Sequence, residues 1–469
     1  MTTTSPAPQP DATVERRTID HIPEDERHGK GRDLFTVWFG SNIMLLTIIT
    51  GALSTTVFGL PLWAGVIGVL IGNIVGGVVM ALHAAQGPQM GVPQMLQTRA
   101  QFGSYGSLLV VVLVVFMYLG FFASNAVLGG KALASVTGMP TNLATFLIGC
   151  VSVAATMIGY KLIHGLAAFL SVVAGGALIV AFVWMVWVNG LPEGTFHTNG
   201  FTLAGFMATI SVAALWQIAY APYVSDYTRY MPKDTGVRAA FWATYAGCVL
   251  GSTLPMLLGA LVGAALPNSD TLDGMGTLTH GVTTGVFIIF AVGVAATNSM
   301  DLYCGSLSTI TIGQNLVPRW KPAAISRAVT AVVLFGIAMI PALLSAENFL
   351  ANYANFLALL LCVLIPWTAV NLVDYYFLRH GEYDIPSLFE RDGGEYGTFN
   401  WTAIACYFLG ILIQIPFLST TIFTGFAARA IDGVDISWIV GLAVICPLYY
   451  FLMKSKVKDN PVTPRAVTA

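Results

Sequence analysis

Apolar runs long enough to cross a lipid bilayer recur along almost the whole chain, and they constrain its fold more than any other feature. A bilayer core about 30 Å thick takes roughly 20 helical residues. Hydrophobic residues make up 56% of the 469 residues and charged residues only 9%, against about 25% charged in an average soluble domain. We therefore predict an all-α polytopic membrane protein with twelve transmembrane spans, numbered 1 to 12: 35–58, 62–82, 105–130, 143–159, 165–188, 203–226, 238–266, 281–314, 325–345, 349–377, 402–424 and 435–453.

Basic residues are distributed unevenly between the two sides of this topology. Cytoplasmic loops of membrane proteins retain Lys and Arg. With the N-terminus inside, only Lys131 and Arg429 of the 21 Lys and Arg fall on the outer side. We therefore expect a multi-pass protein of the cell (inner) membrane with both termini in the cytoplasm. The expected division is a loose N-terminal tail (1–34), a core of spans 1–10 (35–384), spans 11 and 12 (385–453) and a C-terminal tail (454–469).

Two of the spans contain residues that interrupt helical hydrogen bonding. Span 1 reads "TVWFGSNIMLLTIITG", where Gly40, Ser41 and Asn42 favour a break. Span 6 reads "LWQIAYAPYVSDYTRY", where Pro222 removes a backbone donor. Each pattern alone is explained equally well by a close helix contact or a tolerated proline kink. Interruptions at corresponding positions of two five-helix halves, however, favour an inverted-repeat transporter with its site at the membrane midplane.

Span 8 carries an ionisable side chain in an otherwise apolar environment. Asp301 is the only carboxylate between positions 282 and 313. A charge at the centre of a transmembrane helix costs at least about 2.5 kcal/mol and usually faces a partner or a water-filled path. Asn298 and Thr297 lie three and four residues before it, so all three share one helix face. That face is polar enough to line a cavity; the alternative is that Asp301 forms a structural pair inside the bundle.

Span 3 adds an aromatic and polar stripe in the segment "FMYLGFFASNAVLGG". Tyr118, Phe121 and Asn125 lie at i, i+3 and i+7, on one helix face. The two aromatics alone would be ordinary core or lipid-facing residues, but Asn125 on the same stripe favours a cavity. Together with Trp216, Gln217 and Asp301, the stripe suits a small planar heterocycle, because rings stack on aromatic faces and polar groups read the ring's hydrogen-bonding edges.

Six motifs resemble those of the nucleobase:cation symporter-1 family, in the family's order. They are "WFGSN", "GPQMGVPQMLQTRAQFGSYGS", "GFFASNAVLGG", "VSDYTRYMP", "NSMDLYCGSLS" and "NLVDYYFLRHGEYD". The chain is most similar to the purine-cytosine permease branch. The resemblance covers about 34–384 and implies a LeuT-like fold, with spans 1–5 and 6–10 as inverted repeats and spans 11 and 12 peripheral. It also implies a symporter that takes up a nucleobase or related heterocycle together with protons or sodium.

The resemblance assigns roles to individual positions. The stacking aromatic of span 3, usually Trp in the family, falls on Phe121, and the Asn four residues later falls on Asn125. The Trp-Gln pair of span 6 is retained as Trp216 and Gln217, and the substrate-contacting Asn of span 8 falls on Asp301. Phe for Trp and Asp for Asn are departures, so the exact base stays open. The candidate substrate-binding residues are Ser41, Tyr118, Phe121, Asn125, Trp216, Gln217, Asn298 and Asp301.

The coupling ion is expected to be H⁺ or Na⁺, with no other cofactor and no metal site. In sodium-coupled members of the family, carbonyls of the broken span 1 and two hydroxyls of span 8 form the ion cage. Here the hydroxyl positions read Ala296 and Thr297, so one ligand is missing. Because desolvation favours the neutral form of a carboxyl group, proton coupling is preferred. The candidate ion-coupling residues are Gly40, Thr297 and Asp301.

The resemblance also implies alternating access. Spans 1, 2, 6 and 7 would rock as a bundle against a scaffold of spans 3, 4, 8 and 9. The loop "AQGPQMGVPQMLQTRAQFG" is read as a structured inner gate or, alternatively, as a simple connector. The expected partners are a small nucleobase and the lipid bilayer, with no nucleic acid, since the net charge is only −2. The oligomeric state is not predicted.

Other functional classes fit the sequence less well. The seven His residues are scattered through tails, loops and helix ends, so no catalytic constellation of a membrane enzyme emerges. The isolated polar patches do not form the continuous lining that a channel needs. A carrier of the same fold for allantoin, hydantoin or an amino acid stays open as the alternative to a nucleobase carrier.

Overall fold

A computed structural model describes residues 19–158, 160–317, 319–320, 322–344, 349–420, 422–459 and 465. These residues form helices joined by short turns, with one isolated β-bridge between Ser419 and Thr424. The helices are α1 (Gly31–Asn42), α2 (Leu45–Thr56), α3 (Leu62–Ala84), α4 (Gln86–Met90), α5 (Gln94–Phe102), α6 (Ser107–Thr137), α7 (Thr141–Ile158), α8 (Tyr160–Val183), α9 (Leu203–Ile218), α10 (Val224–Thr228), α11 (Lys233–Ala265), α12 (Thr271–Leu278), α13 (Thr283–Leu316), α14 (Ala324–Leu344), α15 (Phe349–Val373), α16 (Trp401–Gln414), α17 (Phe426–Ala430) and α18 (Ser437–Asp459).

The long helices follow the predicted spans. Within the described residues, nine helices are long and apolar enough to cross a membrane, and the bent pair α1 and α2 makes a tenth span. Two shorter apolar helices, α7 and α16, lie at the positions of predicted spans 4 and 11. Spans 2, 3 and 5 correspond to α3, α6 and α8. Span 6 corresponds to α9 with α10, spans 7 to 10 to α11, α13, α14 and α15, and span 12 to α18.

The helices pack into two groups and a peripheral pair. The first group, which we call the bundle, contains α1, α2, α3, α9 and α11; α3 packs along α9, and α11 packs against α1, α2 and α3. The second group, the scaffold, contains α6, α7, α13 and α14, with α13 lying along α6. At the periphery, α16 and α18 pack on each other and on α15. These groups are the bundle and the scaffold that the resemblance implied.

Both predicted breaks are confirmed. The first span bends by 60° between α1 and α2, where Met44 adopts an extended conformation. The break thus follows Asn42 directly and leaves its carbonyl to accept from the hydroxyl of Thr47 (2.6 Å). In the sixth span, α9 ends at Ile218 and Pro222 starts a short 3₁₀ turn before α10. Pro222 has no amide hydrogen to continue an α-helix, which accounts for this second break.

The first described residues, 19–30, pack against the rest of the protein. Ile19 and Ile22 are fully buried, and the amide of Ile22 donates to the carbonyl of Gly91 (2.9 Å). Arg27 donates to the carbonyl of Pro88. The expected loose tail is therefore wrong for residues 19–30, because two apolar side chains bury themselves there; residues 1–18 lie outside the described part. The loop at 85–103 is structured, as α4 and α5.

Candidate functional site

A small closed cavity lies where the two broken spans meet α6 and α13. It is lined by Met44, Phe121, Asn125, Trp216, Ala219, Tyr220, Tyr223, Thr297 and Asp301. Its volume is about 10 Å³, the space of roughly one water molecule. Benzene needs a cavity of about 150 Å³, so this conformation has no room for a planar base. The cavity must expand before a heterocycle can bind.

Aromatic rings form one side of the cavity. The rings of Phe121 and Trp216 meet edge to face, with centroids 6.1 Å apart at 84°. Phe121 also meets Phe356 of α15 edge to face, at 5.4 Å and 77°. Tyr220 lies edge-on to Trp216, at 6.2 Å. The aromatic faces predicted for stacking are thus adjacent, but they are packed on each other here instead of lying parallel.

The polar side of the cavity is formed by Asp301 and Asn125. Both side chains are buried, at 3% and 1% exposure, and Asn125 lies within hydrogen-bonding reach of the Asp301 carboxyl group. Within the described residues, Asp301 Oδ2 and Asn125 Oδ1 have no hydrogen-bond partner. Buried polar atoms are normally paired, so two unpaired oxygens at one cavity indicate a place where a ligand donates hydrogen bonds.

The residues predicted for ion coupling lie beside this cavity. The hydroxyl of Thr297 donates to the carbonyl of Ser41 (2.8 Å) and to that of Gly293 (3.2 Å). The carbonyl of Gly40 accepts from the amide of Ile43 at the end of α1. The neighbouring residue of Thr297 is Ala296, which offers no side-chain oxygen. In this conformation the hydroxyl therefore links α13 directly to the broken first span.

Four of the predicted substrate residues lie outside the cavity lining. Gln217 donates to Asn73 Oδ1 (2.7 Å) and to the carbonyl of Cys248 (3.3 Å), so it faces α3 and α11. The amide of Asn298 donates to the carbonyl of Phe122 (3.2 Å). The two others contribute no group to the lining: Ser41 donates its hydroxyl to Val37, and Tyr118 packs edge-on against Tyr223 at 5.3 Å.

Helix geometry explains why Gln217 lies outside the lining. Adjacent helical residues point about 100° apart, so Trp216 and Gln217 cannot both face the cavity. The sequence did not predict Tyr220, which lies in the turn after the end of α9. Met44, Ala219 and Tyr223 were also missed; they sit in or directly after the breaks, where helical periodicity no longer applies.

Close contacts surround the cavity. The hydroxyls of Thr50 in α2 and Tyr353 in α15 share a hydrogen bond of 2.8 Å. Phe356 packs over Gly120, where a Cβ atom would come within 2.6 Å of the phenyl ring. Tyr118 also packs edge to face on Tyr223, with ring centroids 5.3 Å apart. With a volume of about 10 Å³, the cavity is too small for a base in this conformation.

Comparisons with known proteins were made for the whole chain. The family described as "Permease for cytosine/purines, uracil, thiamine, allantoin" matches residues 21–441. The chain belongs to this family. It is 40% identical to the "Putative purine-cytosine permease YxlA" of Bacillus subtilis, over 95% of this chain and 97% of that protein. It is 23% identical to the "Purine-cytosine permease fcyB" of Emericella nidulans, over 95% and 89% of the two chains. The protein is thus a permease and not an enzyme.

A solved structure with the same fold supports the architecture. The permease is similar to Mhp1, a nucleobase-cation-symport-1 family transporter solved in a closed conformation with bromovinylhydantoin bound. The TM-score is 0.76 at 18% identity, and the match covers 97% of this chain and 98% of that chain. This likeness confirms the predicted all-α, LeuT-like fold, whereas the family match and the Bacillus subtilis relative confirm the predicted family. At this level of identity, the likeness shows the fold and not the ligand.

Proposed function

We propose that this permease imports a nucleobase, cytosine or a purine, by proton symport across the inner membrane, with both termini in the cytoplasm. The observation that carries the proposal is the cavity at the two breaks, where aromatic rings lie next to a buried carboxyl group and a buried amide. A planar base offers two faces for the rings and N–H groups for the unpaired oxygens. The names of the relatives, purine-cytosine permeases, agree with this substrate class.

Charge argues against an amino acid as the substrate. The lining contains Asp301 and no Lys or Arg. The carboxylate of an amino acid would meet a second carboxyl group there and no basic side chain, and a buried charge without a partner is costly. Neutral ring compounds such as allantoin or hydantoin remain alternatives to a base, because they also carry N–H groups.

Alternating access follows from the division into bundle and scaffold. The cavity is lined from both groups: Trp216 and Tyr220 belong to the bundle, whereas Phe121, Asn125 and Asp301 belong to the scaffold. Rocking of the bundle would separate these walls, opening the cavity first to one side and then to the other. A proton and a base are transported together if both favour the same closed state.

Asp301 is the proposed proton carrier. Within the described residues, no basic side chain forms a salt bridge with it, and a lone buried charge is disfavoured. A protonated carboxyl group can enter the closed cavity as a neutral group. The sodium alternative is weaker here because Thr297 is the one hydroxyl of the expected pair and already donates to two carbonyls.

The test is a competition uptake assay in proteoliposomes. Unlabelled cytosine, adenine, guanine, hypoxanthine, uracil, allantoin and hydantoin compete with a labelled base, with choline replacing sodium and a protonophore collapsing the pH gradient. We expect a nucleobase to compete best and uptake to survive without sodium. Preference for allantoin or hydantoin would overturn the substrate assignment.

Variants of the protein distinguish proton coupling from substrate binding. Asp301→Asn should still bind a base but should lose accumulation driven by a pH gradient. Asp273→Asn removes an exposed carboxylate on α12 and serves as the matched control, with unchanged uptake. Concentrative uptake by Asp301→Asn with full pH dependence would rule out the proton role. A strict sodium requirement would instead assign ion coupling to Thr297 and the break at Gly40.

A further inference from the structure

Asn42, the last residue of α1, makes an unusual number of hydrogen bonds. It is completely buried. Its Oδ1 accepts from Trp216 Nε1 (2.7 Å), from the Tyr220 hydroxyl (2.9 Å) and from the Ser252 hydroxyl (2.8 Å). An amide oxygen has two lone pairs, so three donors saturate it. Asn42 Oδ1 has no capacity left for a ligand.

The other end of the amide is also occupied. Asn42 Nδ2 donates to the carbonyl of Trp38 (2.6 Å) and to Cys248 Sγ (3.3 Å). A flipped amide would place its NH₂ group against three donors and its oxygen against a carbonyl, so the hydrogen-bond network fixes the orientation. Asn42 therefore presents its acceptor to α9 and α11 and joins the break of the first span to both helices.

Two of the three donors that Asn42 binds belong to the lining of the cavity. Trp216 and Tyr220 contribute ring surface there, but their N–H and O–H groups point to Asn42. The hydroxyl of Thr297 is likewise engaged with backbone carbonyls. Two oxygens of the cavity lining have no partner within the described residues: Asn125 Oδ1 is an acceptor, and Asp301 Oδ2 accepts when the carboxyl group is ionised and can donate when it is protonated. The side chain of Asn42 thus keeps the cavity rich in acceptors.

We infer that Asn42 is a specificity-determining residue that withholds two donors from the substrate. The cavity then recognises ring edges that present N–H groups, above all an exocyclic amino group as in cytosine or adenine. It disfavours edges where two carbonyls flank the N–H, as in uracil, because protonated Asp301 can donate to only one of them and Asn42 holds the Trp216 and Tyr220 donors. The inference rests on the proposed function and assigns the chemical class of base within it.

Removing the acceptor is the direct test. Asn42→Ala frees the Trp216 N–H and the Tyr220 hydroxyl, which can then pair with a substrate carbonyl. Unlabelled uracil and unlabelled cytosine are each used to inhibit the uptake of a labelled base, and the ratio of their two inhibition constants is measured. A new hydrogen bond of ordinary strength shifts this ratio towards uracil by about tenfold. A loss of stability alone would lower uptake without moving the ratio.

Two further variants serve as matched controls. Ser252→Ala removes the third donor but leaves Asn42 bound to Trp216 and Tyr220, so the ratio should stay at the wild-type value. Asn42→Asp keeps an acceptor at the same place and, when protonated, still donates to the Trp38 carbonyl, so its ratio should match that of the wild type. An unchanged ratio in folded Asn42→Ala would overturn the inference.

Tyr220→Phe keeps the inference testable if Asn42→Ala does not fold. Because the Tyr220 hydroxyl is hydrogen-bonded to Asn42, its removal should weaken the binding of all bases by a common factor. The ratio of the inhibition constants of uracil and cytosine should therefore stay unchanged. A changed ratio would mean that Tyr220 reads the base directly, which would overturn the inference. A wild-type preference for uracil over cytosine and adenine would also overturn it but would leave nucleobase import intact. A wild-type protein that takes up no base would refute the proposed function itself.

Discussion

Replacing Trp216 by Ala tests whether the aromatic wall of the cavity binds a planar ring. Trp216 is 2% exposed, and its ring meets Phe121 edge to face at 6.1 Å. A base inserted between two aromatic residues needs parallel faces about 7 Å apart, twice the carbon contact distance. Substrate entry therefore has to reorient Phe121, which also packs against Phe356. Loss of the indole removes one of the two faces altogether.

The expected magnitude follows from base–aromatic stacking. Such a contact contributes about 1–3 kcal/mol per base, which corresponds to a roughly 5–150-fold weaker affinity. Trp216→Phe keeps a ring but lacks the N–H that donates to Asn42 over 2.7 Å. We expect this variant to lose less affinity than Trp216→Ala, because most of the stacking surface is retained.

Equilibrium binding of a labelled base to purified protein measures the effect without transport. Trp63→Ala is the control, since Trp63 lies on α3, is 46% exposed and stacks on Phe201 away from the cavity. Its affinity should equal that of the wild type. Wild-type affinity in Trp216→Ala would refute the proposed site, and an equal loss in Trp63→Ala would attribute the effect to general destabilisation.

Three other predictions concern charge and packing. The affinity of Asp301→Asn for the preferred base should no longer vary with pH, and a pH titration of binding checks this. Burial raises the pKa of Asp384, but hydrogen bonds from Arg465 and Ser387 outweigh it and lower that pKa to about 2. Thermal unfolding across pH should show a stability loss in Arg465→Ala that is full above about pH 4 and fades as the pH falls towards 2. Gly259→Ala should lower the yield of folded protein, because its Cβ would collide with a backbone carbonyl of α2. Gly285→Ala is the control and should express normally, because its Cβ would meet open space.

The sequence predicted the positions of the breaks because their causes are local. A proline lacks its amide hydrogen in any context, and Gly, Ser and Asn together disfavour a helix wherever they occur. For the same reason, the sequence predicted that Thr297 and Asp301 lie on one helix face, since residues at i and i+4 share a face. Both of these residues line the cavity.

Contacts between helices account for what the sequence could not predict. Asn298 also shares a face with Asp301, yet it donates to a carbonyl of α6, because α6 crosses α13 at its position. Gln217 pairs with Asn73, which is 144 residues away in the chain. Neither partner is visible from spacing along one helix. The same holds for Asn42, whose three donors come from α9, the turn that follows it and α11.

The adjacent residues Ser41 and Asn42 divide the contacts of the first break between the two helix groups. The carbonyl of Ser41 accepts from Thr297 of the scaffold, whereas the side chain of Asn42 binds Trp216, Tyr220 and Ser252 of the bundle. If the bundle moves as one body, the bonds of Asn42 persist and the bond between Ser41 and Thr297 has to break. The break therefore lets neighbouring residues keep the hydrogen bonds that position Trp216 and Tyr220 while the hydrogen bond to the scaffold breaks. In an unbroken helix the Ser41 carbonyl would be paired within the helix and could not make that bond.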